Sequence, residues 1–104
     1  MEKESNTYKR IKSVAKAAEI MIFLSDKREP VPAPRMAEEL GLPYPTVMTI
    51  LSTLADHDFV RQTSDGYVLG MMLAVFWARK KAQLEAQRDL LNARLAQLEV
   101  SDVG

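Results

Sequence analysis

Cysteine is absent from this 104-residue chain, and histidine occurs once, as His57. The first absence excludes disulfides, thiolate metal sites and a cysteine nucleophile. The second leaves His57 without the companions of a usual zinc site, and no serine-histidine-acid grouping can be argued around it. Asp56 and Asp58 flank it, but two acids beside a turn read as capping groups rather than a catalytic pair. A glycine-rich loop that could cradle phosphates is also missing. An enzyme is therefore not expected, nor a metal, nor a cofactor. The N-terminal stretch MEKESNTYKRIKS carries charges but no following apolar run of the length and purity that secretion or membrane insertion requires. A cytoplasmic protein with no membrane partner is expected.

An excess of either charge is lacking too: 14 Lys and Arg stand against 14 Asp and Glu, for a formal net charge of zero. Nucleic-acid binding draws on lysines and arginines that face phosphates, so their distribution matters more than their sum. Lys3, Lys9, Arg10, Lys12 and Lys16 gather near the start, and Arg79, Lys80 and Lys81 form a second cluster. Between them, Gly41 to Val60 contains no lysine or arginine at all, and Met71 to Val100 contains no glycine or proline.

What is present is ordinary globular composition, 47% hydrophobic and 27% charged. At this length it builds one domain with an appendage. Ile11, Val14, Ala18, Met21 and Ile22 recur at three- and four-residue steps, which predicts a helix from Tyr8 to Ser25 with those residues on its buried face. Asp26 to Pro34 holds three prolines and reads as a connection. A short second helix follows, with Met36, Ala37 and Leu40 as its apolar face and Gly41 at the position where a left-handed residue ends a helix. Pro43 and Pro45 fit the first turn of a third helix, whose buried face is Val47, Ile50, Leu51 and Leu54. Phe59 and Val60, then Tyr67 to Leu69, are β-rich runs about a turn at Gln62 to Gly66, where Asp65-Gly66 is a strong hairpin signal.

The stretch from Met71 onward predicts one long helix of about 45 Å at roughly 1.5 Å per residue. Trp77, Leu84, Leu91 and Leu98 are spaced by seven, Leu73, Phe76 and Leu95 widen the stripe, and the alternate seam positions are Ala74, Lys81, Arg88 and Leu95. This is a coiled-coil pattern with a polar middle. The expected organisation is a flexible tail over residues 1–7, a domain over 8–70, a helix over 71–100 that pairs two copies, and a tail over 101–104.

Helix, helix, tight turn, helix, hairpin is the order of a winged helix-turn-helix. Residues 11–70 resemble the N-terminal DNA-binding domain of IclR-type transcriptional regulators. The resemblance rests on Ser13-Val14 with Ala17-Ala18 in the first helix, Met36-Ala37-Glu38-Glu39-Leu40-Gly41-Leu42-Pro43 across the turn, Thr46-Val47 opening the third helix, and Gly66-Tyr67-Val68-Leu69-Gly70 closing the wing. It implies a mainly α fold of three helices plus a β-hairpin wing, here extended by the long C-terminal helix. The chain departs from the family at Pro45, where serine is common, at Thr49, where a basic residue is frequent, and at Asp58, where glycine is frequent. A helix also stands where the family has a larger effector-binding domain, so no small-molecule effector is expected.

On this resemblance the third helix enters the major groove of double-stranded DNA. Tyr44, Thr46, Met48, Thr49 and Ser52 are the candidates to read base edges through hydroxyls and a thioether. Phosphate contacts fall to Lys9, Arg10, Lys12, Arg35, Arg61 and Gln62. Leu73, Trp77, Leu84, Leu91, Leu95 and Leu98 are the candidates for self-association. Two copies sharing a two-fold axis would address half-sites about one helical turn apart, or a multiple of it. The expected function is a small dimeric transcription regulator, of a size that suits a prophage or mobile element. The alternative is a winged-helix module that binds protein instead of DNA. The two separate on whether the basic residues, or Glu38, Glu39 and Asp56, share a face with Thr46 and Thr49.

Overall fold

The computed structural model describes residues 8–103, with side chains over 8–100. The expected tail at residues 1–7 lies outside the described residues. The chain divides between Met72 and Leu73 into two units. The first holds helices α1 (Lys12–Ser25), α2 (Ala33–Leu40) and α3 (Tyr44–Asp56), then strands β1 (Val60–Thr63) and β2 (Gly66–Leu69). The second is helix α4 (Met71–Val103), whose first two residues belong to the first unit.

Helix α1 begins at Lys12 rather than Tyr8, with Ile11 as an extended N-cap. Its buried face also differs from the expected one. Ile20 and Leu24 are buried and Ala17, Met21 and Phe23 pack against the core, whereas Ile11, Val14, Ala18 and Ile22 are exposed. The cause is composition: from Val14 to Leu24 apolar residues occupy nearly every side of the helix, so periodicity alone does not choose the face. The neighbouring elements choose it.

Helices α2 and α3 end in the same way. At the end of α2, Leu42 N–H donates to Ala37 O and Gly41 N–H to Glu38 O, with Gly41 left-handed at φ 68°. At the end of α3, Phe59 N–H donates to Leu54 O and Asp58 N–H to Ala55 O, with Asp58 left-handed at φ 62°. Both are Schellman closures, which satisfy the last helical carbonyls and need a residue that tolerates positive φ. Asp58 occupies the role that Gly41 fills at the end of α2, and aspartate accepts this conformation better than most side chains.

The hairpin pairs Val60 with Leu69, Arg61 with Val68, Gln62 with Tyr67 and Thr63 with Gly66. The turn is thus only Ser64-Asp65, tighter than the expected five residues, because Thr63 Oγ1 bridges it: it donates to Gly66 O at 2.9 Å and accepts from Asp65 N–H at 3.2 Å. The Pro-rich connection is not a plain linker either. Val31 forms an isolated antiparallel bridge to Tyr67, tying the hairpin to the segment before α2.

The core is built from all of these pieces. Met36 and Ala37 come from α2, Val47, Ile50, Leu51 and Leu54 from α3, and Val31, Val60 and Tyr67 from the connection and wing. The α3 set is the one its spacing predicts. No polar or charged side chain is buried among the described residues.

Helix α4 runs on to Val103, so residues 101–103 of the expected tail are helical. Every residue from Phe76 to Val100 is exposed, Trp77, Leu84, Leu91, Leu95 and Leu98 among them. No helix among the described residues is long and apolar enough to cross a membrane.

Candidate nucleic-acid interface

With Val47, Ile50, Leu51 and Leu54 turned inward, helical spacing aims Pro45, Thr49, Ser52 and Asp56 outward, and all four are exposed. The helix opens on Pro43 and Pro45 with no side chain capping it. Its outward ridge therefore begins with the positive end of the helix dipole. Thr53 does not add to the polar surface as its position suggests, because its hydroxyl donates to Thr49 O at 3.0 Å.

The two flanks of α3 are different. On one, Lys12, Ser13 and Lys16 of α1 line a shallow depression together with Pro45, Thr46, Thr49 and Ile50. On the other, Tyr44 and Met48 share a depression with Gln62, Thr63, Ser64 and Asp65 of the wing and with Pro32 to Pro34 before and within α2. The outward helix face is thus bordered by two ammonium groups on one side and by amide, hydroxyl and one carboxylate on the other. Glu38, Glu39 and Asp56 line neither depression.

A family model of the IclR helix-turn-helix domain matches residues 13–64, half of the chain. The chain belongs to that family. No curated protein and no solved structure matches it. The match to the IclR-type domain covers α1 from its second residue, the turn, α3 and the first strand of the wing.

Within this IclR-type domain the residues singled out from the sequence are placed unevenly. Tyr44, Thr49 and Ser52 are exposed along α3, while Thr46 is half-buried toward α1 and Met48 half-buried toward the wing, packed against the core. Lys9 and Arg10 precede α1 and are exposed. Lys12 borders α3 directly. Arg35 is exposed, and its Nε donates to Glu39 Oε2 at 2.6 Å, an i,i+4 ion pair within α2. Arg61 and Gln62 are neighbours on a strand and so point to opposite faces, and Gln62 is the one beside Tyr44 and Met48.

Lys16 is not among the expected contacts, yet it lines the same depression as Thr46 and Thr49. Its spacing carries the signal, since Lys12 and Lys16 are four apart and share one face of α1. His57 is the exposed C-cap of α3, with its ring 6.1 Å from that of Phe59. Among the described residues no group of three or more His, Asp or Glu is arranged to hold a metal ion.

Proposed function

We propose that the protein is a sequence-specific transcription regulator that places α3 in the major groove and works as a dimer held by α4. The IclR-type domain makes DNA its partner. Base reading falls to Tyr44, Thr46, Met48, Thr49 and Ser52, which offer hydroxyls to base edges and a thioether to thymine methyls. The observation that carries the reading is the placement of Lys12 and Lys16 beside Thr46 and Thr49. An uncharged helix gains phosphate attraction from its neighbour, and a chain of zero net charge thereby acquires a local basic edge. Lys9 and Arg10 extend that edge toward the N-terminus. Gln62 supplies a neutral contact from the wing. Glu38 and Glu39 line neither depression, and Asp56 closes the outward ridge at its C-terminal end, three turns from Pro45 and away from Lys12 and Lys16.

A salt series of binding to random-sequence duplex, read by fluorescence anisotropy, tests this directly. The logarithm of affinity should fall linearly with the logarithm of salt, and neutralising each true phosphate contact should flatten the slope by about 0.9. Lys12→Gln with Lys16→Gln should therefore lower the slope by roughly two units for each copy that contacts DNA, or about four for the bound dimer. No binding at low salt would sink the DNA reading.

A further inference from the structure

Helix α4 carries a charge arrangement that says how two copies meet. With Trp77, Leu84, Leu91 and Leu98 as the d positions of a heptad, the a positions are Ala74, Lys81, Arg88 and Leu95. The d residues are 62%, 47%, 58% and 62% exposed in a single copy, an apolar row that one helix alone does not bury. The positions flanking the seam then follow. Lys80, Gln87 and Arg94 fall at g, and Glu85, Asn92 and Glu99 fall at e.

We infer that α4 pairs with the α4 of a second copy as a parallel, in-register, two-stranded coiled coil, with Lys80 facing Glu85 and Arg94 facing Glu99 across the interface. This rests on the reading that α4 joins two copies. In a parallel pair each g residue meets the e residue five positions later on the other helix. That rule brings Lys80 to Glu85, Gln87 to Asn92 and Arg94 to Glu99: cation to acid, amide to amide, cation to acid. In an antiparallel pair g meets g and e meets e. Cations would then face cations or amides and acids would face acids or amides, and no alignment brings opposite charges together along these rows.

Three of these four charges have no use within one helix, while Glu85 has Lys81 four residues before it and Arg88 three after it. Lys80, Arg94 and Glu99 have no opposite charge three or four residues away. None of them, nor Glu85, is in an ion pair among the described residues. For Lys80, Arg94 and Glu99 a second copy supplies the partners that their own helix withholds.

The polar middle of the seam fits two strands rather than more. At Arg88 the side chain already reaches Asp89 Oδ1 at 3.3 Å through Nε and Nη2, so it lies against its own helix and carries a counter-charge. Seam cations of this kind keep their heads in water beside a two-stranded coil, while a third or fourth helix would bury them. Orientation has a consequence for function. A parallel coil brings the two Gly70 ends together, whereas an antiparallel one separates them by up to the length of α4, about 50 Å. Only the first joins two DNA-binding domains at one end of the coil.

The absence of cysteine makes orientation directly measurable in the full chain. Leu95→Cys and Leu84→Cys are each oxidised alone and as an equimolar mixture, beside a solution mass determination of the unaltered protein. The expected result is a dimer in which each variant cross-links to itself and the mixture yields no 84-to-95 product. Charge gives the second readout. Lys80→Glu with Arg94→Glu should raise the dimer dissociation constant about ten-fold or more, because four exposed attractions become repulsions, and adding Glu85→Lys with Glu99→Lys should restore it. A dimer whose variants do not cross-link to themselves, or that ignores the charge reversal, overturns the parallel arrangement and leaves pairing through α4 standing. A trimer or tetramer overturns the two-stranded coil. A monomer at all accessible concentrations overturns both the arrangement and the pairing.

Discussion

Val31 and Tyr67 exchange both of their backbone hydrogen bonds, Val31 N–H to Tyr67 O at 3.0 Å and Tyr67 N–H to Val31 O at 2.8 Å. A two-stranded hairpin is marginal by itself, and this bridge attaches it to the body at one residue pair. Gly66 makes the approach possible. Its φ is 141°, and a Cβ there would stand 2.5 Å from the Val31 carbonyl carbon.

Gly66→Ala is therefore expected to cost at least about 2 kcal/mol, a drop in melting temperature of roughly 10 °C for a domain of this size. Both the φ value and the contact oppose the substitution. Thermal unfolding followed by circular dichroism reads the change, with Ser64→Ala in the exposed turn as the control that should stay within about 0.5 kcal/mol. A Gly66→Ala protein as stable as the parent would show that the wing is not held against Val31.

The left-handed closure of α3 gives a prediction of the opposite sign. Asp58 sits at φ 62°, where a glycine would carry no side-chain penalty. Asp58→Gly should leave stability unchanged or raise it by up to about 1 kcal/mol, while Asp58→Val should lower it by about 1–2 kcal/mol. Urea denaturation midpoints rank the three proteins. Should valine prove as stable as aspartate, the Phe59-to-Leu54 and Asp58-to-Ala55 bonds are not what ends the helix.

Much of this architecture is legible in the sequence because single residues announce it. Gly41, Pro43 and Pro45 mark the turn and the start of α3, and Asp65-Gly66 marks the wing, each through a backbone requirement that few residues meet. The buried face of α3 is legible for a different reason: its outward side is rich in threonine and serine, so its apolar side is unambiguous. On α1 that contrast is missing, and Ile20 and Leu24 are buried by the packing of α3 and the wing rather than by their own spacing. The site is harder still. Lys16 comes beside Thr46 and Thr49 only because α1 lies along α3, and Arg35 is paired with Glu39 one turn away. Such pairings are tertiary facts, apart from the Arg35–Glu39 spacing, which the sequence displays.

The outward residues of α3 should govern preference and leave general affinity alone. Thr49→Ala and Ser52→Ala replace exposed hydroxyls, so stability should change by no more than about 0.5 kcal/mol. Discrimination between a selected operator and random duplex should fall by about 1–3 kcal/mol for each hydrogen bond to a base edge that is removed, with the salt slope unaltered. Competition binding against both duplexes measures the two quantities together. A loss that is equal on both duplexes, accompanied by a shallower slope, would move these residues from the bases to the backbone.

The seam of α4 allows a prediction in which a substitution strengthens the protein. Arg88 occupies an a position between Leu84 and Leu91, and its 3.3 Å contact to Asp89 is an exposed pair that contributes little. Leucine in its place would extend the apolar row without interruption, and burying such a side chain is worth about 1.5–3 kcal/mol in each copy. Arg88→Leu should accordingly lower the dimer dissociation constant, which sedimentation equilibrium reads across a dilution series. The same change at a position off the seam, Gln83→Leu, should leave it nearly unchanged. If both leucines strengthen association equally, the surface is adhesive rather than registered, and the heptad placement of Arg88 is wrong. If only Arg88→Leu does so, polar residues at the seam hold the native coil below its attainable stability.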